Sequence, residues 1–176
     1  MSAIKIAVGC DHGAYDLKEI LIEHLKNRGI EYVDFGTFGP ESVHYPSYAH
    51  KVCDAVQKKD CDLGILLCST GVGMSIAANK HEGIRAALCT DTYTARYTRM
   101  HNDSNVLCMG AMVVGRGLAM DIVDAFIGAE FEGGRHAVRV GMLCDIEKGD
   151  LILFCSDSMH HVTAGQGNEN EYYVIY

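Results

Sequence analysis

The feature that most constrains this chain is a repeated alternation of short unbroken apolar runs with stretches of helical spacing. Ile4–Cys10, Ile30–Phe35, Leu63–Leu67, Ile84–Cys89 and Val106–Val114, the last broken at Gly110, read as five strands. A run that is apolar at nearly every position suits a strand covered on both faces, as in a parallel sheet. Tyr15–Asn27, Tyr48–Lys58, Met74–Lys80, Thr92–Met100, Leu118–Ile127 and Ala137–Glu147 read as helices. In the first of these, Leu17, Ile20, Leu21 and Leu25 share one face with the charges on the other, and Arg28-Gly29 closes it. Strand–helix alternation implies βαβ units, hence an α/β chain with a doubly wound, mostly parallel five-stranded sheet and helices on both faces. Ligand chemistry is then expected at the carboxyl ends of the strands.

These elements fill residues 1–148, read as one domain. Residues 149–176 read as a C-terminal extension of unassigned role. That extension has an apolar run, Leu151–Cys155, a polar stretch, Ser156–Glu171, and an apolar end, Tyr172–Tyr176. An added edge strand, packing on a partner subunit and a loose tail all stay open.

A net charge of -8 argues against nucleic acid, whose phosphates call for a clustered basic face. No apolar run nears the roughly 20 residues of a membrane span, and no secretory signal precedes the first strand, so a cytoplasmic protein is expected. The eight cysteines, at 10, 53, 61, 68, 89, 108, 144 and 155, include no C-x-x-C pair. They read as reduced, mostly core residues; neither a disulfide scaffold nor a metal site is expected.

Four loops carry chemistry. Cys68-Ser69-Thr70-Gly71-Val72-Gly73 joins a buried strand to a helix, where backbone N–H groups suit an anion. A dinucleotide fingerprint would need a small residue where Ile76 stands, and no P-loop Lys follows. Cys68, just before this anion loop, is read as a functional thiolate ahead of the alternative of one more core thiol. Gly9-Cys10-Asp11-His12-Gly13 ends the first strand; Asp11 is either a helix cap or a site residue. His101-Asn102-Asp103 offers a histidine, a residue type suited to act as acid or base. Arg135 and Arg139, four apart, share a helix face and suit a phosphate.

Taken together, Gly9-Cys10-Asp11-His12, Asp34-x-Gly36-Thr37, Tyr45-Pro46, the Cys68–Lys80 stretch, Gly83-Ile84-Arg85-Ala86, His101–Leu107, Val113-Val114-Gly115 and Glu132-Gly133-Gly134-Arg135-His136 resemble the RpiB/LacAB sugar-phosphate isomerases, nearest the ribose 5-phosphate type. The resemblance implies a Rossmann-like fold, a homodimer or dimer of dimers with the active site shared between subunits, and no cofactor or metal. It implies an aldose–ketose isomerase that interconverts ribose 5-phosphate and ribulose 5-phosphate through a cis-enediolate. On it, Cys68 is the proton-transfer base, and His101 is the ring-opening acid with Asp11 nearby. Backbone N–H groups of Ser69, Thr70, Gly71, Val72 and Gly73 hold the enediolate oxygen, and the Thr70 side chain sits beside the hydroxyls. His12, Arg135 and Arg139 hold the phosphate; Tyr45 and Asn102 line the sugar. Ser69, Met74 and Met112 depart from common members, the last replacing an arginine of the phosphate site in many of them. Two other functions remain open: isomerisation of a hexose 6-phosphate such as allose or galactose 6-phosphate, and sugar-phosphate binding without catalysis.

Overall fold

The computed structural model describes residues 4–149 and the backbone of 154–155 and 158–159. The strands are β1 (Lys5–Cys10), β2 (Glu31–Asp34), β3 (Leu63–Cys68), β4 (Ala86–Leu88) and β5 (Val106–Gly110). The helices are α1 (Tyr15–Asn27), α2 (Tyr45–Gln57), α3 (Val72–Ala78), α4 (Thr92–Asn102), α5 (Arg116–Ile127) and α6 (Arg135–Glu147). The strands form one sheet in the order β2-β1-β3-β5-β4, with every neighbour parallel. Short strands β6 (Phe154–Cys155) and β7 (Ser158–Met159) pair antiparallel with each other. The remaining extension, including Tyr172–Tyr176, lies outside the described residues.

Side-chain alternation along the strands feeds two cores. Ile6, Val8, Ile65, Leu67, Leu107 and Met109 face Leu21, Leu25, Ile122 and Phe126 of α1 and α5. Ala7, Leu66, Cys68, Val106 and Cys108 face Val52, Cys53 and Met74 of α2 and α3. This is why β3 and β5 are apolar at every position. Each such side chain contributes about 1.5–3 kcal/mol on burial. The direction of winding reverses between β1 and β3. Their carboxyl ends therefore open a crevice at a topological switch point, with Cys68 on the α2–α3 side.

Local chemistry moves some boundaries from those expected. α2 starts at Tyr45, three residues early, because Pro46 sits in the first turn, where a missing N–H costs nothing. β5 stops at Gly110, not Val114: the N–H groups of Val113 and Val114 turn back to the Gly110 carbonyl.

The charged face expected for α1 needs one correction. Lys18 is fully buried. Its ammonium donates to Asp34 Oδ2 at 2.7 Å, pairs with Glu19 Oε1 at 3.0 Å, and lies over the rings of Tyr15 and Phe38. A lysine is kept under a loop when anion and aromatic faces replace its water. Ile20 is only half-buried.

Candidate active site

Cys68 ends β3 and is 5% exposed. Its Sγ accepts the Gly71 N–H at 3.0 Å. The loop is fixed from the β5 side: Ala111 N–H donates to the Cys68 carbonyl at 2.9 Å and Met112 N–H to that of Ser69 at 3.0 Å. Gly71 has φ +78, and a Cβ on it would press on the backbone of Met109 at 2.8 Å. A Cβ on Gly110 would meet the Thr70 backbone at 2.6 Å. Glycine is required at both positions for the loop to lie this close to β5.

Of the five N–H groups expected to form an anion cradle, two have partners inside the loop. Gly71 serves the thiol, and Val72 donates to Thr70 Oγ1 at 3.4 Å. That leaves Ser69, Thr70 and Gly73. Since α3 has only seven residues, these N–H groups matter more than a helix dipole.

Burial pushes the Cys10 and Cys53 thiols up to about 12 and raises those of Cys61, Cys89 and Cys108. None of the five is a ready thiolate at neutral pH.

Three neighbours from the sequence reading gather around Cys68. Asp11 is 8% exposed; its N–H donates to Leu67 and its Oδ1 accepts from Gly13 N–H at 3.0 Å. It is thus both a cap and a crevice residue, with its second carboxylate oxygen unspent. His12 Nδ1 accepts from Val43 N–H at 3.2 Å, so Nε2 carries the proton when the ring is neutral. Tyr45 reaches in from α2: a Cβ on Gly73 would touch its ring at 2.9 Å. His12 and Gly13 also line a cavity of about 280 Å³ with Ala111 and Arg116. The sequence reading left Arg116 unassigned, whereas Met112 is 78% exposed.

His101, Asn102, Arg135 and Arg139 lie elsewhere. α4 runs antiparallel to the strands, so its last residues lie at the amino edge of the sheet. The Asn105 carbonyl accepts from Gly64 N–H at 2.8 Å, which fixes the level of that edge. Cys68 is four residues further along β3, about 13 Å at roughly 3.3 Å per residue. His101 lies before Asn105, beyond that edge. Its ring stacks on His136 at 4.1 Å between centroids and 4° between planes, and its Nε2 is 3.5 Å from Glu132 Oε2. The Asn102 carbonyl accepts from Arg85 Nε at 3.2 Å. Arg135 Nε lies 3.5 Å from His136 Nε2, and Arg139 is exposed one turn on. Within one chain, the two groups of candidate residues therefore lie at opposite edges of one sheet.

A doubly wound α/β domain with a cysteine loop and backbone N–H groups at its switch point fits the class of carbonyl proton-transfer enzymes. The particular family follows from comparison. The chain belongs to the Ribose/Galactose Isomerase family, whose model matches residues 6–143. It is 52% identical to ribose-5-phosphate isomerase B of Escherichia coli over 144 residues, 82% of this chain and 97% of that one. The structure of Clostridium thermocellum ribose-5-phosphate isomerase B, 56% identical, superposes with a TM-score of 0.82, covering 83% of this chain and 99% of that one. Mycoplasma genitalium ribose-5-phosphate isomerase B, solved with bound ribulose-5-phosphate, is 42% identical with a TM-score of 0.79, covering 84% and 98%.

Proposed function

We propose that the chain interconverts ribose 5-phosphate and ribulose 5-phosphate in a homodimer, or a dimer of dimers, whose active sites each join the Cys68 edge of one copy to the His101 edge of another. The observation that carries this is the Cys68 loop: a thiol held by a backbone N–H at a switch point, with N–H groups beside it for a developing oxyanion. The relatives named ribose-5-phosphate isomerase B supply the substrate. The split of the half-sites supplies the need for a second copy. α6 supports the same assembly. Its only buried residue is His136, while Val138, Leu143 and Ile146 are exposed and offer apolar surface to a partner.

In the ring-opening step, His101 of a second copy protonates the ring oxygen, Asp11 takes the anomeric hydroxyl proton, and the C1–O bond breaks to the aldehyde. The Cys68 thiolate then removes the C2 proton. Negative charge builds on O1, where the N–H groups of Ser69, Thr70 and Gly73 receive it. Transfer of a proton from O2 to O1 beside Thr70, and return of the carbon proton to C1, gives the ketose. His12 and Arg116 of one copy and Arg135 and Arg139 of the other hold the phosphate, while Tyr45 and Asn102 border the sugar. Remote phosphate binding orients C1 and C2 against Cys68.

Residues 149–176 are read as an extension outside the catalytic unit, since the family match ends at residue 143. Seven described cysteines without a disulfide suit a cytoplasmic setting. Among the described residues, no helix is long and apolar enough to cross a membrane.

The test is incubation with ribose 5-phosphate in D₂O followed by NMR. Ribulose 5-phosphate should appear with wild type, and Cys68→Ala should lose turnover by about 10²-fold or more while still binding the sugar phosphate. Turnover retained by Cys68→Ala would remove the base assignment. Product from hexose 6-phosphates alone would shift the substrate.

A further inference from the structure

Spacing alone argued against a metal, but folding brings together three ligand residues, one of them far from the other two in sequence. His101 closes α4, Glu132 precedes α6, and His136 stands in the first turn of α6. The Glu132 N–H donates to the Met100 carbonyl at 3.0 Å, tying the loop to the end of α4. Glu132 Oε2 lies 3.5 Å from His101 Nε2 and 3.6 Å from His136 Nε2, and one ligand atom from each residue falls within 4.8 Å of the others. Around a tetrahedral ion with bonds of about 2.0–2.1 Å, neighbouring ligand atoms are about 3.3 Å apart. Two of the three separations are within a few tenths of an ångström of that value. The third closes if the rings, now stacked in parallel, tilt toward a common point. His101 is a third exposed and ends its helix, so it is the ring free to tilt; His136 is buried and stays.

We propose that His101, Glu132 and His136 form a binding site for a borderline divalent transition metal of the zinc type, and that such an ion inhibits the isomerase by occupying His101. Two imidazoles and one carboxylate leave positions for water, and late first-row ions favour this donor set over magnesium or calcium. Arg135 must swing off His136 Nε2 for an ion to bind, so occupancy competes with its service to the phosphate. The inhibitory half of the proposal rests on the ring-opening role given to His101.

Two measurements separate the halves. First, Co²⁺ is titrated into the full-length Cys68→Ser protein and followed by visible absorption. One ion per chain is expected, with ligand-field bands and no sulfur-to-cobalt charge-transfer band. Glu132→Gln, at a half-exposed position, and His136→Gln should each weaken binding about tenfold or more. No binding, or binding indifferent to both substitutions, overturns the site. Second, Zn²⁺ inhibition is measured for wild type and the two variants, each against its own uninhibited rate. Inhibition that weakens in step with cobalt affinity supports both halves. Cobalt binding as expected without zinc inhibition leaves the site standing and removes the ring-opening role of His101.

Discussion

If each active site joins two copies, two dead variants must rescue one another by an amount that can be stated beforehand. Take Cys68→Ala and His101→Ala. Each loses a general acid–base group, worth about 10²–10⁴ in rate, so each parent should retain about 1% activity or less. In a mixed dimer, one site receives both substitutions, one from each chain, and is dead. The other combines Cys68 with His101 and is intact. Random pairing at equal amounts makes about half of all dimers mixed, each with one good site of two. Activity per chain should therefore rise to about a quarter of wild type, over 20-fold above either parent. At other ratios it should follow the product of the two mole fractions, falling to about 19% at one to three. The assay is co-expression with two different affinity tags and turnover of ribose 5-phosphate by the unsorted pool, with mass spectrometry to confirm pairing; mixed dimers isolated by tandem purification should reach about half of wild type. Mixed dimers no more active than the parents would mean that both residues serve one site within one chain. Such a result would sink the 13 Å argument.

Other outcomes follow from single contacts. Arg116→Ala should raise KM for ribose 5-phosphate about tenfold with little change in kcat, because a charge-assisted phosphate contact contributes about 1.5–3 kcal/mol; an unchanged KM places the phosphate away from the His12 cavity. Gly73→Ala puts a methyl against the Tyr45 ring, and should raise KM severalfold while thermal unfolding stays within a few degrees. Lys18→Met strands Asp34 beneath the loop and should cost about 3 kcal/mol in urea unfolding; a loss under about 0.5 kcal/mol would show the buried pair to be dispensable. His136 has a folded-state pKa below its ordinary value, so the unfolded chain binds more protons there and stability rises with pH through the ordinary histidine range. Urea midpoints of wild type should therefore fall as pH drops through that range, and His136→Phe should flatten the fall.

The fold was legible because every strand carries its instruction locally. Ile65-Leu66-Leu67 is apolar at successive positions because Ile65 and Leu67 meet one core and Leu66 the other. The Cys68–Gly73 loop was legible for a similar reason: its glycines answer to a positive φ and a close strand, constraints that act within a few residues. Lys18 shows what a local reading misses. Ala14, Lys18, Leu21 and Leu25 form an i, i+4, i+7, i+11 stripe, all buried, and the spacing was available in the sequence. Its partner Asp34, on β2, was not. The Glu132–His136 pairing is a helical i, i+4 relation, yet only tertiary packing adds His101.

The location of His101 was a question the sequence could have answered, by topology rather than by motif. In a right-handed βαβ unit the crossover helix returns antiparallel to the strands. A motif at the end of a strand and a motif at the end of a crossover helix must then lie at opposite edges of the sheet. Cys68 and Asp11 end strands; His101 and Asn102 end α4. Once the five strands were assigned, the thiol and the imidazole of one copy fell at edges about four strand residues apart, well beyond the about 3 Å of a hydrogen bond. A second copy, turned so that its amino edge meets the carboxyl edge of the first, resolves the conflict twice over, since a two-fold axis makes the exchange reciprocal. In the proposed dimer, both half-sites are present in every chain but useful only between chains. Dissociation should therefore abolish turnover, even though each separated copy retains an intact Cys68 loop.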